Sequence, residues 1–283
     1  MLIEYLNNFN NYSINVVYDF NLGDGGFADC IKFYLYLLNI CIDKKYKLYY
    51  IVNNIKLEKY IGLKNDMMYI SKDQIEGKTK NINYNDLLKL DKNNSIDLKY
   101  YKITVRHLWP TFRYNKINIK AEDVFHFSTE VIENSKNLLG LHNNYISLHL
   151  RLGDKFLETE KKYVLCKDDK RNYNLKDLHK FIEDNEDKNI IFLCDNHEFK
   201  LKIKEQFPFI VILDSEIGHT SFTNTSDKQV LDTLTEFYIM SNSSRIVSSS
   251  ASGFPILASY FKKIPITFLY DTKKEKKREY RDL

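Results

Sequence analysis

The second half of the chain constrains the fold most. Five short, almost uninterrupted apolar runs lie there: YISLHL (145–150), NIIFLC (189–194), FIVILD (209–214), RIVSS (245–249) and IPITFL (264–269). Segments of helical period separate them, near 174–186, 197–206, 227–241 and 254–262. A strand that is apolar on both faces has to be covered on both faces. Strands alternating with helices reach that state as a parallel sheet with helices packed above and below. The first half repeats the scheme once. SINVVYDF (13–20) reads as a strand and a glycine-rich turn follows it. The apolar stretch 27–42 is too long for a strand and predicts a buried helix, and KLYYIVN (47–53) is the next strand. That is the length a parallel crossover requires. Residues 54–100 are rich in Lys, Asn and Asp, with weak strand signals at Met67–Ile70 and Lys102–Val105. Ser128–Leu139 reads as a helix joining two α/β halves, which places one domain at 1–120 and another at 121–283, ending in the charged tail KKEKKREYRDL.

Composition excludes several function classes. Across 283 residues, 43% are hydrophobic and 28% charged, so the chain can build a core and is not expected to be disordered. The net charge of +4 is too mild for a nucleic-acid binder. The longest apolar run, Phe33–Leu38, is far short of the ~20 residues that cross a bilayer. The amino terminus lacks the basic and apolar regions of a secretory signal, so a cytoplasmic protein is expected. Cys30, Cys41, Cys166 and Cys194 show no CxxC spacing and read as reduced, buried thiols, with no zinc cluster. Nothing in the sequence fixes the oligomeric state.

Ligands of open parallel sheets bind beyond the carboxyl ends of the strands, so the loops that leave strands carry the chemistry. Five of the nine glycines sit in three such loops. The first is Asn21-Leu22-Gly23-Asp24-Gly25-Gly26-Phe27, a strand–glycine–helix turn suited to an anion. It matches neither the dinucleotide nor the P-loop pattern, and a tight turn with Asp24 as a local cap is the other reading. The second is His149-Leu150-Arg151-Leu152-Gly153-Asp154. Arginine is scarce here, seven among 42 basic residues, so an arginine at a strand end suggests that its planar fork is wanted for a phosphate. An Arg151–Asp154 brace with His149 in the core is the alternative. The third, Ser248-Ser249-Ser250-Ala251-Ser252-Gly253-Phe254-Pro255, gathers hydroxyls and N–H groups where a helix begins. It is either a phosphate seat or a generous helix cap. Asp195, closing NIIFLC, can hold a base or a ribose, or cap the helix from 197.

These pieces, in this order, resemble the GDP-fucose fucosyltransferase superfamily. YISLHLRLGD is similar to its strand ending in H-x-R-x-G-D, IFLCDNHEF to its strand–Thr/Cys–Asp motif, and EFYIMSNSSRIVSSSASGF to its helix, strand and Ser/Gly-Phe motif. LGDGGFADCIKFYL resembles its amino-terminal glycine loop and helix, although the family often has Arg or Asn where this chain has Asp24-Gly25-Gly26. The resemblance implies a GT-B-type architecture of two Rossmann-like, doubly wound parallel-sheet domains. It implies an inverting, metal-independent transfer of fucose from GDP-fucose to a glycan or protein hydroxyl. Arg151 would grip the pyrophosphate with His149 beside it, and Asp195 would hold guanine or ribose. Ser250, Ser252, Gly253 and Phe254 would seat the phosphate, and Gly23, Gly25 and Gly26 would face sugar and acceptor. Asp24 is the candidate base from its position, with His107 behind it. Another nucleotide sugar on the same fold, or a catalytically inactive nucleotide-sugar binder, remains an alternative.

Overall fold

The computed structural model describes residues 1–53, 55–90, 99–140, 142–153 and 173–270. Asp154, Cys166 and the charged tail, all singled out in the sequence, lie outside the described residues. The chain divides into two compact units, one over Met1–His126 and the other beginning at Phe127.

In the first unit β1 (Asn15–Phe20) is followed by the helix Phe27–Lys44 and then β2 (Lys47–Val52). Short elements follow: β3 (Ile61–Leu63), β4 (Thr79–Asn81), β5 (Tyr100–Ile103) and β6 (Phe125–Phe127), with β3 and β6 forming a small two-stranded sheet. The main sheet has the order β2-β1-β5-β4 and is parallel throughout. The helix Phe27–Lys44 is buried over most of its length, which is why its sequence shows little amphipathic contrast. The Met67–Ile70 strand expected from sequence is a 3₁₀ turn (Asp66–Met68) touching β2 through one Tyr50–Tyr69 bridge. Of its apolar residues Met68 is buried while Met67 and Tyr69 are exposed.

The second unit holds β7 (Ile146–Leu150), β8 (Ile190–Cys194), β9 (Val211–Ile212), β10 (Arg245–Ser248) and β11 (Ile266–Phe268). Their order is β11-β10-β7-β8-β9, and every pairing is parallel. The helices Leu175–Glu183, His197–Gln206, Asp227–Met240 and Gly253–Lys262 fall where the sequence predicts them. Leu148, Leu150, Ile190, Phe192 and Val247 are fully buried at the centre, each contributing roughly 1.5–3 kcal/mol from burial. The chain winds outward from β7 in both directions, so the topology reverses between β7 and β10. In the first unit the corresponding reversal lies between β1 and β5. A crevice opens at such a switch point because the two connections leave toward opposite faces.

Burial pushes the Cys30 thiol up to about 12, and raises those of Cys41 and Cys194 as well. All three are free and buried.

Candidate functional site

The two loops flanking the switch point of the second unit are the Arg151 loop and the serine loop, and they are built into one another. Register sets His149 beside Ser248. One step on, the carbonyl of His149 accepts from the Ser249 N–H at 2.9 Å and from its hydroxyl at 3.1 Å. The Arg151 N–H donates to Ser250 Oγ at 2.7 Å. Ser252 caps the helix Gly253–Lys262, its hydroxyl accepting from the Phe254 N–H at 3.3 Å. The Phe254 ring lies nearly parallel to the imidazole of His149, 5.9 Å between centroids. His149, Arg151, Ser250, Ser252 and Phe254 therefore form one assembly, with Gly253 at the start of its helix.

Asp195 stands underneath. It is buried at the end of β8, and its two oxygens accept from the N–H groups of Leu152 at 2.7 Å and Gly153 at 3.1 Å. The Arg151 guanidinium lies 3.9 Å from the same carboxylate. Burial pushes the Asp195 carboxyl above the usual carboxylate range, against the pull of Arg151 and the two N–H groups. Gly153 has φ +122, a conformation that a side chain strains, and this turn points its N–H at Asp195. The helix His197–Gln206 is capped by Asn196, whose side chain accepts from Phe199 N–H at 2.9 Å. The cap role that the sequence left open for Asp195 thus falls one residue later, because Asp195 is turned toward the Arg151 loop.

Sequence reasoning passed over a buried ion pair beside these loops. Lys200, on the helix His197–Gln206, is fully enclosed and donates to Glu236 at 3.1 Å. Its ammonium also donates to the carbonyls of Leu213 at 3.2 Å and Ser215 at 3.0 Å, and to the Ser215 hydroxyl at 2.9 Å. Ser215 in turn donates to Glu236. Burial raises the Glu236 carboxyl while Lys200 and Ser215 hold it down. The trio fixes the start of the loop that leaves β9. Its one sequence signal was a lysine on the inner stripe of a helix, which side-chain period alone does not separate from a snorkelling surface lysine.

The first unit carries its own polar group at the β1/β5 switch point. Asp19 accepts from Asn53 at 2.5 Å and pairs with Lys102 at 3.0 Å. Asn53 also reaches Asn21 at 2.9 Å. Asp24 braces its own loop, accepting from the Asn21 N–H at 2.9 Å, and its other oxygen stands 3.9 Å from Arg106. Gly23 and Gly25 both have positive φ, and a Cβ on Gly25 would meet the Asp29 carboxylate at 2.7 Å. Gly26 begins the helix and donates its N–H to Asp29 at 3.2 Å. His107 is hydrogen-bonded through Nδ1 to Thr104 at 3.2 Å. Arg106 lies three residues past the end of β5, in the short helix Val105–Leu108, and the scarcity argument that singled out Arg151 applies to it equally.

No sequence-family model matches the chain, and no curated protein sequence does. Solved structures do. NodZ α-1,6-fucosyltransferase co-crystallized with GDP superposes with a TM-score of 0.57 at 10% identity, over 89% of this chain and 94% of that one. This chain has the fold of a fucosyltransferase. Arabidopsis thaliana FUT1, as a variant in complex with GDP, gives 0.52 at 11% identity over 95% and 74% of the two chains. POFUT1 in complex with GDP gives 0.53 at 10% identity over 90% and 98%. At such identities the fucosyltransferase fold is shared across nearly the whole chain while almost every side chain differs. Among the described residues no helix is long and apolar enough to cross a membrane, and no group of His, Cys, Asp or Glu is placed to hold a metal ion.

Proposed function

We propose that the protein is an inverting glycosyltransferase that moves fucose from GDP-fucose to a glycan or protein hydroxyl, without a metal ion, in the cytoplasm. The observation that carries the reading is the assembly at the β7/β10 switch point, on a fold shared with three kinds of fucosyltransferase. The Arg151 loop, through its backbone N–H, and a serine-capped helix start converge where a parallel sheet receives its ligand. Breaking the sugar–phosphate bond leaves negative charge on the pyrophosphate, and stabilising that charge is the largest demand of the reaction. Arg151 supplies a bidentate cation, and the Gly253–Lys262 helix supplies oriented N–H groups. Asp195 acts as a positioning residue, holding the Arg151 loop by its backbone. The half-buried Phe254 ring stacks on the buried imidazole of His149 beside it. The first unit supplies the acceptor side in this reading, with Asp24 as the base and Gly23, Gly25 and Gly26 as its sugar-binding loop.

A thermal-shift panel of nucleotides tests the donor. GDP or GDP-fucose at 100 times its dissociation constant adds about 2.7 kcal/mol to stability. For a chain of this size that is a rise of roughly 5–10 °C. UDP and CMP should move the melting temperature much less, and equal stabilisation by UDP rejects guanine selectivity. A second measurement addresses the metal. Transfer should proceed unchanged in excess EDTA, because Arg151 and backbone donors carry the positive potential. Activity lost on chelation and restored by manganese or magnesium would reject this mechanism.

A further inference from the structure

The helix Phe27–Lys44 carries a second ammonium removed from water. Lys32 is 1% exposed, one of two buried lysines among the described residues. Three aromatic rings flank it: the ammonium lies 4.8 Å from the Phe33 ring, 4.6 Å from Trp109 and 5.2 Å from Phe112. Rings repay only part of a cation's lost hydration, so a buried lysine needs an anion as well. Lys32 has one, donating to Oδ1 of Asp29 at 2.8 Å. The other oxygen of Asp29 accepts from the Gly26 N–H at 3.2 Å. The same carboxylate fills the space that a Cβ on Gly25 would need, 2.7 Å away. Gly25, at φ +146, is therefore required by the packing of Asp29. At Gly23, φ +92, a Cβ would meet nothing within 4 Å among the described residues.

We propose that Lys32 is a positioning residue for the glycine loop, acting through Asp29. A carboxylate three residues into a helix caps the first turn by itself and needs no lysine for that. What the lysine adds is a fixed orientation. With Oδ1 held by a buried cation, Oδ2 stays on Gly26 and the carboxylate stays against Gly25. One side chain thus clamps two consecutive loop residues, and the open segment Gly23-Asp24 leaves the clamp in one direction. Both of its polar links are charge-assisted, the stronger class of hydrogen bond, and the ammonium end is shielded from solvent. That the loop serves transfer rests on the fucosyltransferase reading, whereas the hold on the loop does not.

Lys32→Met keeps the length and apolar packing of the stem and removes the charge. Amide hydrogen exchange on the full chain should then quicken by about tenfold at Gly25 and Gly26, while Leu35 and Leu37, deeper in the same helix, keep the wild-type rate. A lysine that only stabilised the fold would quicken all four amides together or none, and either result in the folded protein overturns the proposal. If Lys32→Met does not fold, Asp29→Asn puts the same question. It keeps the shape and an acceptor for Gly26 and loses the charge that Lys32 grips, so the same local quickening is expected, and its absence overturns the clamp. Turnover supplies the second readout, as release of GDP from GDP-fucose with water as acceptor. In Lys32→Met kcat should fall by about 10–100-fold, as misplaced reacting groups commonly cause, while GDP affinity stays at the wild-type value. Unchanged kcat in a variant whose loop has loosened overturns the part of Lys32 in transfer. A wild type that binds no GDP rejects the donor reading instead, and the exchange rates then judge the clamp alone.

Discussion

Arg151→Ala should lower transfer by about 10²–10³-fold in kcat, a loss of roughly 3–4 kcal/mol of transition-state stabilisation. GDP affinity should fall as well, since in the proposed role Arg151 grips the pyrophosphate that transfer releases. Arg151→Lys should not restore function, because an ammonium keeps the charge and loses the fork. The competing role for Arg151 is to neutralise Asp195, 3.9 Å away. That role predicts a different pattern. Removing the guanidinium would leave a buried carboxylate without its cation, lower the melting temperature and spare GDP affinity. Asp195 keeps its two backbone N–H donors in either case, so the loop should hold its course in the variant. Apo melting temperature and GDP affinity, measured on the same protein, decide between the two. A destabilised Arg151→Ala protein that binds GDP normally would overturn the pyrophosphate assignment.

The second large effect concerns stability. Lys200→Met should destabilise the protein by about 3–5 kcal/mol, because Glu236 would remain buried without a cation. The melting temperature should drop on the order of 10 °C. Lys200 and Glu236 are both almost wholly enclosed, so solvent does not screen the pair. The double variant Lys200→Met, Glu236→Leu removes both charges and should regain most of the loss, as buried pairs exchanged for apolar residues of similar size commonly do. A single variant that melts with the wild type would show that the pair carries no such load. If the double variant recovers stability but binds GDP more weakly than wild type, the trio's task is to aim the loop leaving β9, since the Ser215 hydroxyl loses Lys200 and Glu236 in that protein and keeps only the Leu213 carbonyl.

The sequence by itself determined the fold class and marked the loops of the candidate site. Near-continuous apolar runs such as IIFLC and RIVS could only be strands covered on both faces, and the helices between them kept their predicted places. Gly153, Ser252 and Arg151 were legible because each breaks the local rule: a glycine at a strand's exit, a cap residue ahead of Gly-Phe-Pro, and a scarce fork-shaped cation at a strand end. What the sequence left open was strand order, and strand order assembles the candidate site. Pattern shows that β7 and β10 exist, yet nothing in their residues says that they are neighbours. Only their pairing brings the Arg151 N–H onto Ser250, 99 residues away, and places the switch point between them. The first unit shows the same limit more sharply. β4 is three polar, exposed residues with no periodic signal, and β5 leads to the centre of the sheet only because β1 pairs with it. Asp195 likewise stands beside a helix cap in sequence, and tertiary contact turned it beneath the Arg151 loop. Local patterning fixes which segments become strands and helices, because each residue's burial must match its period. Which segments lie side by side is decided by long-range packing, and the candidate site lies where distant segments meet.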